Sequence, residues 1–465
     1  MIARLNDFKG VWQANGDSGI SGSYAYDACN VSTERGALAS AAGYGSFLPP
    51  LASLIGTLAR LYRRDAVEDQ REVFVACTLD GVHTYTTGDA GWTCRFAGPL
   101  YSDAWDWVAY EENGVDLLIL TNAKDGMIAL YGDDLRVERK TTPAKFAVLG
   151  RHAERIWGAG VEGEPDSLYY SRPYDPFNWT ADETNPELGG GQILQPTWDG
   201  DRFIALRELG AYLIALKTNS VYQVRGTDPS SFVITQEYGA DAPDAEATIA
   251  VDGTRMYYLT GREIGVYDGV SAQLLAQNAL YETLRELRST GAACAAVCGH
   301  VYYLALPIGS VVNNAVIEYD TVRRTFMVRT GIYVRSFLES EGKLYFTSSQ
   351  DPYRVYQYGI GTGYDGQAIA CRWQTGWQDG NAKRMRKEAF ILRFYAVGEA
   401  VLHLTLETEC KRKTRSVSLQ PEGKSYRVRM PVRGVRWRLT VESEGTNPWG
   451  IRGGIEISAE EDELE

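Results

Sequence analysis

Apolar, aromatic-rich strand pairs recur along this chain of 465 residues at a nearly constant interval. Successive units begin 39 to 45 residues apart, except for one interval of 57 residues. The seven units open near Val73, Leu117, Ile156, Leu213, Met256, Val301 and Leu344. One four-stranded propeller blade takes about 40–45 residues. The recurrence therefore predicts an all-β chain built around a β-propeller of six to eight blades, with seven favoured.

The units also resemble one another in sequence. Residues 256–259 (MYYL) and 301–304 (VYYL) open two units, and each is followed by a second strand that ends in tyrosine, at Tyr267 and Tyr319. Tyr, Val and Ile pack well on a pleated, half-buried surface. A β-sandwich also has short, evenly spaced strands, but turn signals then recur about every 8–12 residues. The longer period favours the propeller.

The chain divides into four parts by composition. Residues 1–65 form an irregular N-terminal arm rich in Gly, Ala and Ser, and residues 66–359 hold the repeat. Residues 360–366 are a glycine-rich linker. Residues 367–465 alternate apolar and polar positions, as antiparallel strands with one buried face do. They predict an appended β-sandwich, whose acidic end from Glu460 is expected to fray.

The net charge of −13 is unevenly divided. Residues 1–359 carry −15, whereas residues 360–465 carry +2. An acidic body does not attract a polyanion, which argues against a sequence-specific nucleic-acid binder. The charge is compatible with a channel that DNA passes without sticking, and equally with an ordinary acidic surface.

The apolar segments and the cysteines indicate where the chain is made. No segment is long and apolar enough to span a bilayer, and the first residues do not predict a secretory signal. Seven cysteines, an odd number, indicate a reducing site of synthesis. Cys294 and Cys298 lie near His300 but lack a fourth zinc ligand. We expect buried free thiols and no membrane insertion.

No motif predicts catalysis. The four histidines are not spaced as metal ligands, and no nucleophile elbow or phosphate loop is present. Residues 87–93 resemble one imperfect Asp-box, which is a structural hairpin in sialidase-type propellers. A glycosidase needs two carboxylates beside the scissile bond, and the spacing selects no pair. We expect no enzyme activity and no catalytic, cofactor or metal site.

The segment 155–179, RIWGAGVEGEPDSLYYSRPYDPFNW, predicts a stiff loop that leaves its blade. Pro173 and Pro176 fix the backbone and exclude central sheet positions. The loop carries Phe177 and Trp179, and Trp198 follows. Aromatic anchors dominate interface energetics, so these five residues form a candidate interface. The alternative is that the rings cap their own blade.

Two basic runs lie in the C-terminal part. The candidate charge contacts are Lys383, Arg384, Arg386, Lys387, Lys411, Arg412, Lys413 and Arg415. They fit three uses: solvated surface, pairing with the acidic body of a neighbouring copy, and contacts to DNA phosphates. The residues alone leave all three open.

Three places resemble a known family. The first is the opening part, with residues 6–10 (NDFKG), 30–38 (NVSTERGAL) and 43–45 (GYG). The second is residues 155–179, and the third is the end, with Trp373, Trp377 and alternating strands. In this pattern the chain resembles the β-propeller tail proteins of short-tailed bacteriophages, known as tail nozzle or packaged-DNA stabilisation proteins.

The resemblance implies a structural virion protein without a cofactor, made in the bacterial cytoplasm and located in the tail. It implies a ring, usually of six copies, below the portal or head-to-tail adaptor. Such a ring extends the DNA channel, retains packaged DNA, supports ejection and holds tail fibres or a tip. Double-stranded DNA would pass through without sequence readout.

Two alternatives stay open beside this interpretation. One is a propeller that binds or cleaves host glycans, with Trp179 and Trp198 stacking on sugars. The other is a monomeric interaction scaffold of cellular origin.

Overall fold

The computed structural model describes residues 1–14, 18, 20–197, 200–275, 278–380 and 385–463. Five short strands lie in the opening part of the chain. They are β1 (Ile2–Leu5), β2 (Ala25–Cys29), β3 (Val31–Ser32), β4 (Leu38–Ser40) and β5 (Tyr44–Ser46). The opening part thus carries more structure than an irregular arm, and each strand pairs with a distant segment or a neighbour.

Seven four-stranded antiparallel sheets follow, which are the blades of a β-propeller. Blade 1 holds β6 (Thr57–Tyr62), β7 (Glu72–Cys77), β8 (Gly81–Thr86) and β9 (Thr93–Ala97). Blade 2 holds β10 (Asp106–Glu112), β11 (Val115–Asn122), β12 (Gly126–Tyr131) and β13 (Val137–Lys140). Blade 3 holds β14 (Val148–His152), β15 (Arg155–Ala159), β16 (Ser167–Tyr170) and β17 (Gly191–Leu194).

The later blades continue the same order. Blade 4 holds β18 (Phe203–Leu209), β19 (Tyr212–Lys217), β20 (Val221–Arg225) and β21 (Val233–Gln236), and blade 5 holds β22 (Ala250–Asp252), β23 (Arg255–Thr260), β24 (Glu263–Tyr267) and β25 (Ala272–Leu274). Blade 6 holds β26 (Cys294–Cys298), β27 (Val301–Leu306), β28 (Ala315–Asp320) and β29 (Thr325–Thr330). Blade 7 holds β30 (Val334–Ser340), β31 (Lys343–Ser348) and β32 (Val355–Tyr358), with β5 as its fourth strand.

The helical elements are short. The α-helix α1 spans Tyr281–Arg285, and 3-10 helices span Glu34–Gly36, Glu68–Gln70, Pro186–Leu188 and Glu246–Thr248. Among the described residues, no helix has the length and apolar character needed to cross a membrane.

Blade stacking explains the apolar runs in the middle strands. Every residue of β12 is buried, and only the first two residues of β11 are partly exposed. Because each blade lies against a blade on either side, both faces of its sheet are covered and the alternation of a one-sided sheet is lost. Tight hairpins join the strands, as at Asn113 and Gly114, whose φ angles of 52° and 83° suit a two-residue turn.

The seventh blade is closed by the opening part of the chain. β5 pairs with β32 in antiparallel register, with Tyr44 opposite Tyr358 and Ser46 opposite Tyr356. The Tyr44 ring stacks on Tyr364 at 5.1 Å. The strand that starts blade 1 begins at Thr57. The opening part therefore supplies the outer strand of one blade and the inner strand of the next.

The C-terminal region forms a β-sandwich. Its strands are β33 (Ile369–Thr375), β34 (Met385–Gly398), β35 (Val401–Thr408), β36 (Arg412–Ser418), β37 (Lys424–Gly434), β38 (Trp437–Gly445) and β39 (Trp449–Glu463). One sheet has the order β3-β4-β39-β34-β37, with β1 also on β39, and the other has the order β2-β33-β38-β35-β36. The buried rings of Trp373, Phe390 and Trp437 lie in the core between the sheets.

The acidic end differs from the expected frayed tail. Residues 460–463 continue β39 and pair with the start of β34. Arg386 lies opposite Asp462, and Lys387 lies opposite Glu461. Opposite charges on facing strand positions favour pairing. The N-terminal ammonium, 3.2 Å from the Glu461 carboxylate, adds a third contact.

The sandwich rests on the outer edge of blade 6. Val11 donates its N–H to the Phe326 carbonyl of β29 at 2.8 Å, and Asn30 donates its N–H to the Val328 carbonyl at 3.0 Å. The Asn30 side chain donates to Thr330 Oγ1 and to the Ala370 carbonyl. An outer strand that would otherwise offer unpaired backbone groups is thereby covered.

Candidate functional site

The loop that leaves blade 3 between β16 and β17 is held by one buried arginine, Arg155. Its Nη1 donates to the carbonyls of Ser171 at 2.7 Å and Gly189 at 2.6 Å, and its Nη2 donates to the Glu187 carbonyl at 2.6 Å. Arg155 is 1% exposed. Among the described residues, no carboxylate lies within ion-pair distance of it. The guanidinium thus fastens both ends of the loop through backbone carbonyls.

Aromatic rings surround this guanidinium. Its central carbon lies 5.6 Å from the Tyr170 ring centroid and 5.8 Å from that of Phe232. Burial lowers the pKa of Arg155 from its usual value, although an arginine stays charged at any ordinary pH. The ring contacts and the three carbonyls offset the cost of burying the charge.

The predicted aromatic residues of the loop pack against blades 2 and 3. The Trp179 ring lies 4.9 Å from that of Phe146, and the Lys140 Nζ lies 4.6 Å from the Phe177 ring centroid. Pro176 is buried, and Pro173, Phe177 and Trp179 are half-buried. Trp198 lies outside the described residues. The structure therefore brings four of the five residues together, with their rings turned largely inward.

Three exposed apolar side chains on the same blade were not singled out from the sequence. Tyr174 is 70% exposed, Leu188 is 53% exposed and Leu194 is 65% exposed. Tyr174 has a φ of 60° and donates its N–H to the Glu154 carbonyl at 3.0 Å. Its place between two prolines was the available signal, since the bend turns this ring outward. Tyr174 and Leu188 lie in the loop between β16 and β17, and Leu194 ends β17, so blade 3 exposes apolar side chains at both places.

The packing of Trp179 predicts different results for Trp179→Ala and Tyr174→Ala. Loss of the half-buried indole is expected to lower the free energy of unfolding by about 2–3 kcal/mol, somewhat below the cost at a fully buried site. Loss of the exposed Tyr174 ring is expected to change it by less than about 0.5 kcal/mol. Denaturant unfolding followed by tryptophan fluorescence and circular dichroism measures both. Equal losses in the two variants would contradict this assignment.

The predicted basic residues separate into two environments. Lys387 is buried and donates through Nζ to the carbonyls of Met385 at 3.0 Å and Val435 at 2.9 Å. Burial lowers its pKa from the usual value. Arg386 is half-buried. Lys383 and Arg384 lie outside the described residues. The first run is therefore not a simple surface charge cluster.

The second run lies at a sheet edge. Lys411 precedes β36, and Arg412, Lys413 and Arg415 lie on it. All are exposed except Lys413, which is half-buried. β36 is the last strand of its sheet, and basic side chains on an edge strand discourage unwanted strand pairing. These four residues are available to a partner.

The first strands of six blades, together with residues 246–249 before β22 of blade 5, line a cavity of about 510 Å³. Two arginines beside this cavity form ion pairs with carboxylates at blade 2. Arg207 of blade 4 lies 3.6 Å from Asp106, and Arg335 of blade 7 lies 3.0 Å from Asp103. Burial, together with the nearby Asp106, raises the pKa of Glu246. The ion pairs tie blades together around the axis.

The possible metal ligands and the cysteines are dispersed in the part of the chain that the structure describes. It contains no group of three or more His, Cys, Asp or Glu side chains that could hold a metal ion. All seven cysteines are free. Cys294 is buried, and burial raises the pKa of its thiol to about 12. Such a thiol remains protonated at neutral pH and is unreactive.

No family model matches the chain, and no curated protein matches its sequence. Among solved structures, the WD40 domain of Neurospora crassa Pan2 is 11% identical with a TM-score of 0.41, over 66% of this chain and 89% of that one. BBS1N in its complex with ARL6DN is 10% identical with a TM-score of 0.42, over 70% of this chain and 99% of that one.

The extracellular domain of the hybrid two component system BT4673 from B. thetaiotaomicron is 9% identical, with a TM-score of 0.42. That match covers 75% of this chain and 43% of that one. These likenesses concern the fold and carry no argument about activity, ligands or partners. The β-propeller itself is established by the seven blades of the chain.

Proposed function

We propose that the chain is a structural subunit of a bacteriophage tail. Copies form a ring below the portal or adaptor, extend the DNA channel, retain packaged DNA and hold fibres or a tip. The starting point is the family resemblance, which lies in residues 6–10, 30–38 and 43–45, in residues 155–179 and in the C-terminal end with Trp373 and Trp377. The acidic charge of residues 1–359 suits a surface past which duplex DNA moves without sticking.

The observation that most supports a structural role is the way the opening part binds both domains. β1 to β4 belong to the sandwich and β5 belongs to blade 7, while Val11 and Asn30 bind the edge of blade 6. Arg329, which is buried in blade 6, donates to the Val31 carbonyl at 2.9 Å and pairs with Glu318 at 2.8 Å. These contacts couple the propeller to the sandwich, which suits a structural subunit.

Electron microscopy of the purified chain, alone and mixed with phage particles that lack it, tests the proposal. Rings with a central hole, or new density below the portal, are the expected result. Particles that already contain the protein are the control and should gain no density. Monomeric discs that never attach to the particles would overturn the proposal. Saturable binding of host glycans by such a monomer would then favour the glycan-binding alternative.

A further inference from the structure

One end of the sandwich carries a concentrated positive charge. Residues 411–433, here called the basic edge, contain eight Lys and Arg residues and one Glu, a net charge of +7 in a chain of −13. On β37, Arg427, Arg429 and Arg433 are exposed, and the alternate positions Val428, Met430 and Val432 are buried. Among the described residues, no side chain of the eight lies within ion-pair distance of a carboxylate. These side chains are therefore available to a partner.

The basic edge lies far from the chain's own propeller. β36 and β37 are the last strands of their sheets, whereas β2 and β3, at the opposite ends, contact β29 of blade 6. Four strand spacings of about 4.8 Å place about 19 Å between the two ends. The basic edge therefore does not reach the acidic surface of its own propeller.

A complementary surface lies on blade 3. Residues 162–187 contain seven Asp and Glu residues and one Arg, a net charge of −6. Glu183 and Glu187 lie in the loop between β16 and β17, and Glu162 lies in the turn between β15 and β16, at the other end of β16. All three are exposed, and none forms an ion pair among the described residues. The exposed Leu188 and Leu194 lie in the same blade. Apolar side chains rimmed by charge are typical of an interface. We call this surface the acidic edge.

We propose that the basic edge of one copy docks on the acidic edge of the next copy. Blade 3 is three blades away from blade 6, so the two edges lie on nearly opposite sides of the molecule. A contact between two different surfaces joins copies head to tail and closes into a ring when the rotation permits. The inference rests on the proposed ring function for its closure. Neighbouring copies neutralise the charge of both edges, whereas DNA would neutralise only that of the basic edge.

Charge reversal in the full chain tests this pairing by sedimentation velocity. One variant carries Arg427→Glu, Arg429→Glu and Arg433→Glu, and the other carries Glu162→Lys, Glu183→Lys and Glu187→Lys. The wild-type chain is expected to self-associate with rising concentration, and less so at high salt. Each variant is expected to lose at least about tenfold in self-association affinity. Mixing the two variants is expected to restore association, because each then meets an edge of opposite charge.

The control variant carries Arg255→Glu, Arg262→Glu and Arg288→Glu. It changes the net charge as much as the basic-edge variant does, at exposed positions outside both edges. It should associate like the wild-type chain. If a reversed variant has a lower melting temperature, the corresponding glutamine variant replaces it. A wild-type chain that stays monomeric at every concentration, or a mixture that fails to associate, would overturn the pairing.

The tests of the pairing and of the proposed function are separable. Loss of duplex DNA binding in the basic-edge variant, with self-association unchanged, would assign that edge to DNA and overturn the pairing. Attachment of the basic-edge variant to particles as a complete ring would overturn the pairing and leave the tail function standing. Failure of the wild-type chain to attach would refute the tail function, whatever its self-association.

Discussion

Replacing Arg155 by Met is expected to lower the free energy of unfolding by about 3–5 kcal/mol, because each buried carbonyl left without a donor costs about 1–3 kcal/mol. The guanidinium is 1% exposed and serves three carbonyls at both ends of the blade 3 loop. Met keeps most of the volume and the apolar stem but donates no hydrogen bond. Chemical denaturation monitored by circular dichroism measures the change.

Arg151→Met is the matched control on the preceding strand. Arg151 pairs with Glu208 at 3.1 Å, and both side chains are nearly half exposed. An ion pair of this kind contributes at most about 1 kcal/mol. If Arg155→Met were as stable as Arg151→Met, the loop would be held by other contacts. Proteolysis should also cut Arg155→Met first between residues 171 and 190.

Replacing Asn30 by Ala is expected to lower the free energy of unfolding by about 3–4 kcal/mol. The change removes four side-chain hydrogen bonds, and it places Ala at a positive φ that Asn adopts more readily. Asn30 Oδ1 accepts from the Thr330 N–H and from the Tyr364 hydroxyl, both at 2.8 Å. Its Nδ2 donates to the Ala370 carbonyl at 2.8 Å. The residue has a φ of 57°.

These bonds join blade 6, the linker and strand β33 of the sandwich. Calorimetry of Asn30→Ala is therefore expected to show the sandwich unfolding at a lower temperature than the propeller, whereas the unaltered chain is expected to show one coupled transition. Asn447→Ala is the control, because Asn447 is exposed and makes a single long bond of 3.4 Å to the Glu399 carbonyl. A single transition at the wild-type temperature would show that the domain contact does not depend on Asn30.

The propeller was predictable because its signal is repeated and local. Each unit contains its own apolar runs and turn residues, so strands such as Met256–Leu259 within β23 are recognised without knowledge of their neighbours. The closing strand β5 was not predictable. It has three residues, includes a glycine and pairs with β32 at the far end of the propeller. No local pattern identifies a partner so distant in sequence.

Lys387 shows how the environment of a charged residue was missed. In a regular strand alternate residues share a face, so Lys387, three residues before the buried Phe390, would lie on the outer face of β34. A register shift after Glu388, where Ala389 has a φ of 53°, reverses the alternation and turns Lys387 inward. Such a bulge depends on the strands that flank β34. The sequence pattern alone therefore assigned a buried side chain to the surface.

The loop of blade 3 was also predicted only in part. Its prolines and aromatic residues predicted a stiff loop that leaves the blade. The sequence left open whether the rings form an interface or cap their own blade. The structure turns Trp179 toward Phe146 and leaves Tyr174 outside. No sequence pattern identifies Arg155 as the residue that holds the loop, because its acceptors are backbone carbonyls that carry no side-chain signature.

The amino-acid sequence by itself determined the β-propeller, a range of six to eight blades, the appended sandwich and the contrast between an acidic body and basic C-terminal runs. Each follows from the order of apolar, polar and turn residues over short distances. The tertiary structure alone decided how β5 closes blade 7, where the sandwich docks, and that the basic and acidic edges lie on opposite sides. These features depend on contacts between segments hundreds of residues apart, which no local periodicity encodes.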